Sequence, residues 1–258
     1  MQKEQVFGIL RKAGVPLRKA FGNVKTVRRK KGDASDDVTD LDIATERYIS
    51  RELLKVDSSA GFCGEETGGQ NNLERFWLLD PIDGTSHFVR GLPFCTTMLA
   101  LVENGSVVFS AIYDFMRNEM YWAEKNKGAW KEGERIYVSN RGLRDAYVGV
   151  EADLKHERAL RSFVWLQANS VIVQTIDCGF EFAMIAQGKL EGRIAIDPWG
   201  KDWDFAPGAF LAKEAGAVVK NFGSESYDFK DHSFFVLNQN TYEDLKARED
   251  FPLHDLIL

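Results

Sequence analysis

Cysteine is scarce: the three thiols, Cys63, Cys95 and Cys178, are odd in number and show no C-x-x-C spacing. A disulfide framework and a thiolate zinc site are both excluded as first readings, and a reducing compartment fits best. Histidine is nearly as rare, with His87, His156, His232 and His254 scattered along 258 residues, which favours a local hydrogen-bonding role for His87 over metal binding. Six prolines and 22 glycines are too few for a fibrous or linker-rich chain. No apolar run approaches the roughly 18 residues of a membrane span, and the first residues carry no apolar leader core, so a cytoplasmic protein without a membrane partner is expected. Positive charge is not in excess either. With 33 Lys+Arg against 39 Asp+Glu the net charge is −6, which argues against nucleic acid as the main partner.

What is present suffices for a large core: 44% hydrophobic and 28% charged residues. Val6, Ile9, Leu10, Ala13, Leu17 and Phe21 recur at helical spacing, predicting a first helix kinked or ended at Pro16. The basic cluster Lys25 to Lys31 reads as solvated surface. Thr39 and Asp40 cap a second helix reaching about Val56, with Asp42 in its first turn. The runs Thr96 to Val102 and Val107 to Tyr113 form a hairpin around Asn104-Gly105, followed by strands at Met120 to Ala123 and Arg135 to Val138. Beyond Arg141 strands (147–150, 171–176, 193–196) alternate with helices (154–168, 180–187, 205–215), the last stopped by Gly216. The fold class is therefore α+β, with an N-terminal half, 1–140, and an α/β half, 141–258, packed tightly enough to count as one domain.

The segment Trp77-Leu78-Leu79-Asp80-Pro81-Ile82-Asp83-Gly84-Thr85-Ser86 carries the chemistry. An apolar strand is expected to end at Asp80, Pro81 to force a turn, and Asp83 onward to open a short helix or turn. Two carboxylates three residues apart on a rigid turn can converge on one hard cation, joined by the carbonyl between them. The amides of Gly84, Thr85 and Ser86 would then face an anion. Alone, D-P-x-D-G is also ordinary turn chemistry. Three other acidic positions change its meaning: Glu65-Glu66 after a short strand, Asp204 at the start of the helix that leads to Glu214, and Asp42. Each by itself is a loop charge or a helix cap, and only their conjunction points to metal chemistry.

That conjunction resembles the inositol monophosphatase-like, Mg²⁺-dependent, lithium-sensitive phosphatases. The matching segments are Gly64-Glu65-Glu66-Thr67, Asp80-Pro81-Ile82-Asp83-Gly84-Thr85, and Trp203-Asp204 followed by Glu214-Ala215-Gly216, with Val38-Thr39 and Asp42 upstream. They occur in the family's order over essentially the whole chain. The resemblance implies a layered αβαβα sandwich of the inositol monophosphatase and fructose-1,6-bisphosphatase type, usually a homodimer, acting on a small phosphorylated metabolite. It implies that Glu65, Asp80 and the Ile82 carbonyl hold one Mg²⁺, that Asp80, Asp83 and Asp204 hold a second, and that a third, weaker ion leans on Glu65 and water. Thr85 would pair with Asp42 and, with Glu65, orient and deprotonate the attacking water, with no covalent phospho-enzyme. Lys31 resembles the lysine of a mobile lid in this family.

The substrate end departs from the family pattern. A Gly-Ser/Thr-Ala-Ala stretch is replaced by Thr175-Ile176-Asp177-Cys178-Gly179-Phe180-Glu181, of which Asp177-Cys178 is similar to histidinol-phosphate phosphatases, as is Asp197-Pro198. Asp197 also lies seven residues before Asp204, where inositol phosphatases place an acid that binds inositol hydroxyls. His87 stands where Asn is common. The expected activity is hydrolysis of a polyol or sugar phosphate, nominally inositol 1-phosphate. The alternatives are histidinol phosphate, fructose 1,6-bisphosphate, adenosine 3′,5′-bisphosphate, or a catalytically silent binding protein, which predicts lost ligands. None is lost. The net charge of −6 then acquires a meaning, since Asp42, Glu65, Glu66, Asp80, Asp83 and Asp204 are expected in one cleft that cations neutralise.

Overall fold

The computed structural model describes residues 3–25, 28–29, 37–69, 71–174 and 177–258. Helix α1 (Lys3–Ala20) buries Val6, Ile9, Leu10, Ala13 and Leu17, as their spacing requires. It runs unbroken through Pro16. Pro16 and Lys12 are both exposed, so the carbonyl left without a partner by the missing N–H lies on the solvent side. Two short strands, β1 (Arg28–Arg29) and β2 (Asp37–Val38), pair antiparallel ahead of α2 (Asp40–Val56), whose N-cap is Thr39.

The strands β3 (Gly61–Gly64), β4 (Gly68–Gly69), β5 (Arg75–Asp83), β6 (Thr96–Glu103), β7 (Ser106–Asp114), β8 (Glu119–Glu124), β9 (Gly128–Lys131) and β10 (Glu134–Ile136) form one sheet, in the spatial order β10-β9-β8-β7-β6-β5-β3-β4. The β6–β7 hairpin turns at Asn104 (φ 49°) and Gly105 (φ 73°), the two positive φ values that a tight two-residue turn needs. A short helix, α3 (Thr85–Arg90), follows β5. The second sheet comprises β11 (Tyr147–Ala152), β12 (Val171–Gln174), β13 (Gly192–Ile196), β14 (Val218–Asn221) and β15 (Phe234–Leu237), ordered β12-β11-β13-β15-β14. Its helices are α4 (Glu157–Asn169), α5 (Cys178–Ala186), α6 (Asp202–Glu214) and α7 (Gln239–Lys246).

Alternation along the strands decides which layer covers which face. Trp77, Leu79, Leu99, Leu101 and Phe109 pack against Val6, Leu10 and Leu17 of α1 and Ile49 and Leu53 of α2. On the opposite face Met98, Ile112 and Tyr121 meet α5 and α6, which in turn cover Ala195, Phe234 and Val236 of the second sheet. The far face of that sheet, with Val148, Ile194, Phe235 and Leu237, is closed by Ala159 and Leu166 of α4 and Tyr242 and Leu245 of α7. The result is an αβαβα sandwich. Its central helix α6 is sandwiched between two sheets and buries every residue from Phe205 to Ala212. A Cβ on Gly208 would lie 1.9 Å from the Phe182 ring, so the close approach of α5 and α6 requires glycine there.

Some boundaries differ from expectation. Helix α4 begins at Glu157 rather than Leu154, because Asp153 accepts the Lys155 N–H at 3.1 Å in a turn that the helix cannot include. Strand β9 lies between glycine turns and is too short to show a period. Among the described residues, no helix is long and apolar enough to cross a membrane. Thr175, Ile176 and the proposed lid residue Lys31 lie outside the described residues.

Candidate active site

Strand β5 does not end at Asp80, and Pro81 forces no turn. The strand continues to Asp83, and its register against β6 slips by one residue between the pairs Asp80–Met98 and Asp83–Thr96. This bulge accommodates Pro81, whose lack of an N–H matters little where the ladder is already interrupted. It also aims the acids. Residues three apart on a regular strand face opposite sides, and the extra residue brings Asp83 round to the side of Asp80. The Ile82 N–H donates to Asp80 Oδ1 at 3.0 Å and the Thr97 hydroxyl donates to the Pro81 carbonyl at 2.9 Å, holding the bulge in shape.

Asp204 arrives from the first turn of α6, where the Lys201 N–H donates to its Oδ2 at 2.5 Å. Oxygens of Asp80, Asp83 and Asp204 all lie within 4.8 Å of one another. Glu65 follows β3, the parallel neighbour of β5; its N–H donates to the Leu79 carbonyl at 3.1 Å, and its side chain hydrogen-bonds Asp80. Burial, followed by the charges of Glu65, Asp83 and Asp204, holds the Asp80 carboxyl well above the ordinary range. Burial and the charges of Glu65 and Asp83 do the same to Asp204. These acids repel one another in a place too dry to screen them, a cost that a cation removes. Buried oxygen donors without imidazole or thiolate suit a hard divalent ion such as Mg²⁺, so the donor set fits the metal that the sequence implies.

A second cluster adjoins the first. Asp42 is fully buried; its Oδ2 accepts the Thr39 N–H at 2.8 Å and the Thr39 hydroxyl at 2.6 Å, and Thr85 Oγ1 lies 2.8 Å from its Oδ1. Burial raises the Asp42 pKa against the pull of these donors. The Thr85 hydroxyl is also 2.8 Å from the Ile82 carbonyl, but it has one proton to give. The charge-assisted bond to ionised Asp42 is the stronger, leaving Thr85 Oγ1 as an acceptor beside the acid cluster. Asp177 caps α5, accepting the Phe180 N–H at 2.8 Å, and faces Asp83, which accepts the Gly179 N–H at 2.5 Å. Burial and the Asp83 charge hold Asp177 well above its usual range. Among the described residues, no N–H or O–H group donates to the buried Asp177 Oδ2.

Glu46 escaped the sequence reading. It lies one turn after Asp42 on α2, is fully buried, and accepts the N–H groups of Glu66 and Thr67 at 2.8 Å each as well as the Thr67 hydroxyl. It thereby shapes the loop that carries Glu65. A signal was present: Glu46 shares the helix face of Ile49 and Leu53, where a charged residue needs a buried partner.

The remaining sequence candidates fall as follows. Gly84 (φ 81°) precedes α3, and a Cβ there would lie 2.3 Å from Asp177 Oδ2, so this turn needs glycine. Thr85 and buried Ser86 are the first residues of α3, whose N–H groups the helix itself leaves unpaired. The thiol of Cys178, half-buried at the start of α5 and 3.2 Å from Arg193 Nη2, is pushed well up by burial. Asp197 (φ 50°) is not among the converging carboxylates; Arg158 grips it with two bonds of 2.8 and 3.2 Å. Half-buried His87 has its pKa lowered by burial and hydrogen-bonds with the Phe94 backbone, a local role. Glu214 accepts the N–H groups of Asn126 at 3.1 Å and Gly128 at 3.0 Å, tying the end of α6 to the first sheet.

The profile described as the Inositol monophosphatase family matches residues 3–250. A fructose-1,6-bisphosphatase/inositol-1-monophosphatase of Thermotoga maritima is 32% identical, covering 88% of each chain. The Nus factor SuhB of Xylella fastidiosa is 30% identical over 82% of this chain and 78% of its own. An inositol-1-monophosphatase of Rhizobium meliloti is 30% identical over 80% and 79%. Among solved structures, a Thermotoga maritima IMPase superposes with a TM-score of 0.82 at 29% identity, covering 97% of this chain and 95% of that one.

Proposed function

The chain belongs to the inositol monophosphatase family, and from that premise we propose that it is a Mg²⁺-dependent phosphomonoesterase of small polyol or sugar phosphates, with inositol 1-phosphate the nominal substrate. The observation that carries this reading is the convergence of buried Asp80 and Asp83 with half-buried Asp204 in a mutually repelling set. Glu65, Asp80 and the Ile82 carbonyl would hold one ion and Asp80, Asp83 and Asp204 another, with a third leaning on Glu65. Bound there, Mg²⁺ supplies charge neutralisation for the phosphoryl oxygens and acidifies water at neutral pH. The residues do the rest. Thr85 Oγ1 accepts a hydrogen bond from the attacking water and orients it, while Asp42 Oδ1 holds the Thr85 proton; Glu65 takes part in removing the water proton. The N–H groups at Gly84, Thr85 and Ser86 face the phosphate. No side-chain nucleophile is needed, and the raised Cys178 thiol is a poor one. The family premise also carries lithium inhibition and a homodimer into the proposal.

Substrate identity belongs to groups outside the metal cluster. The Arg158–Asp197 pair is the feature that a polyol hydroxyl or a second phosphate would meet differently, and it leaves histidinol phosphate, fructose 1,6-bisphosphate and adenosine 3′,5′-bisphosphate as the panel to set against inositol 1-phosphate. The relatives named Nus factor SuhB favour a second reading, a protein-binding role beside catalysis. Phosphate release from that panel with Mg²⁺, in the wild type and in Asp83→Asn, is the test. Turnover lost in the variant with its fold kept supports the phosphatase reading; no turnover of any substrate by the wild type leaves the binding role in its place.

A further inference from the structure

Arg193, on β13, is the one fully buried Lys or Arg among the described residues. Its two terminal nitrogens bond to Glu181 of α5 and Glu151 of β11, both buried carboxylates. Burying three charges together is expensive, and such a group seldom contributes net stability. The triad does hold something. The other oxygen of Glu151 accepts the backbone N–H of Trp199 at 2.8 Å and of Gly200 at 3.2 Å. The next N–H along, that of Lys201, donates to Asp204 Oδ2 at 2.5 Å. A continuous relay therefore runs from Arg193 through Glu151 and the backbone of residues 199–201 to the carboxylate that meets Asp80 and Asp83.

The segment before α6 is not held by its largest side chain, since Trp199 is 62% exposed. It is held by its backbone. Gly200 allows this, because a Cβ there would lie 2.3 Å from the ring of Phe205 in the first turn of α6. Arg193 is also poorly placed to bind phosphate itself: two carboxylates already occupy its terminal nitrogens and outweigh its charge.

We propose that Arg193 is a positioning residue for Asp204: by orienting Glu151 it clamps the backbone at Trp199 and Gly200 and so fixes the α6 carboxylate in the acid cluster. This rests on the reading of Asp204 as a metal ligand. The probe is Mn²⁺ alone, titrated into the full chain after EDTA stripping, with free Mn²⁺ read by EPR and the fold read by melting without metal. Arg193→Met should bind Mn²⁺ at least about tenfold more weakly, the usual scale for losing a group that orients a ligand. Arg193→Lys, which keeps the charge but cannot span both acids, should recover part of it. Glu151→Gln should weaken binding in the same direction, and its effect should not add to that of Arg193→Met, because both act through one relay. Arg141→Met is the control. It removes a charged partner of buried Glu191 in the same half of the chain, and should lower the melting temperature with Mn²⁺ binding unchanged. Should Arg193→Met fail to fold, Arg193→Lys and Glu151→Gln decide the matter. Wild-type Mn²⁺ binding in Asp204→Asn overturns the ligand reading and the clamp with it. Loss in Asp204→Asn beside wild-type binding in the folded Arg193 and Glu151 variants overturns the clamp alone.

Discussion

Replacing Thr85 with Val removes one hydroxyl and almost nothing else, since both residues are β-branched and of similar size. That hydroxyl lies 2.8 Å from Asp42 Oδ1 and 2.8 Å from the Ile82 carbonyl. Asp42 keeps its two bonds from Thr39, and Thr85 is only half-buried, so the stability cost should sit near the lower end of the roughly 1.5–3 kcal/mol typical of a hydrogen bond to a charged group. The catalytic cost should be larger. If Thr85 and Asp42 orient and relieve the attacking water, kcat falls by about 10²–10⁴-fold, roughly 3–5 kcal/mol of activation free energy. KM should move little, because the hydroxyl serves the water and not the substrate. Thr85→Ser, which restores the oxygen, should recover to within about tenfold of wild type. Phosphate release at saturating Mg²⁺, with melting curves to confirm the fold, gives both numbers. A folded Thr85→Val protein within about threefold of the wild-type kcat would falsify the assignment of Thr85.

Glu46→Ala removes the carboxylate that accepts the N–H groups of Glu66 and Thr67, at about 1.5 kcal/mol each because this loop is half-buried to exposed and water can replace the lost acceptor, and should both lower the melting temperature and raise the Mg²⁺ concentration for half-maximal activity; an unchanged Mg²⁺ requirement counts against its role in placing Glu65. The pH dependence follows from the raised pKa values of Asp80, Asp177 and Asp204. The folded state keeps protons there that the unfolded chain releases above about pH 4, so this part of the stability is complete below that pH and is lost as pH rises. The gap between melting temperatures in Mg²⁺ and in EDTA should therefore widen from pH 5 to pH 8, and a constant gap contradicts the assignment. Burial raises the pKa of all three thiols, so a disulfide reagent near pH 8 should titrate them slowly in the native protein and completely only in denaturant; rapid reaction of Cys178 would reopen the case for a nucleophile.

Residue spacing revealed what lies within one motif. Asp80 and Asp83 were legible as a pair, and Thr39, Asp40 and Asp42 as a helix start, because both depend on neighbours a few residues away. The shape of Asp80-Pro81-Ile82-Asp83 was not legible: the same four residues suit a turn or a bulge, and only the pairing of β5 with β6 decides. Glu46 and Arg193 stayed hidden for another reason. Their partners are backbone groups 20 and 21 residues away in one case, and carboxylates 12 and 42 residues away on two other elements in the second. Asp197 shows the limit from the other side: its seven-residue spacing to Asp204 is plain in the sequence, but spacing cannot foresee that Arg158 grips its carboxylate.

The most direct test of the account is phosphate release from inositol 1-phosphate and the rival phosphate esters by enzyme stripped with EDTA and then titrated with Mg²⁺. The account predicts no turnover without metal, saturable recovery as Mg²⁺ is added, and none in Asp83→Asn. Turnover that survives EDTA, or that persists in Asp83→Asn, would contradict it.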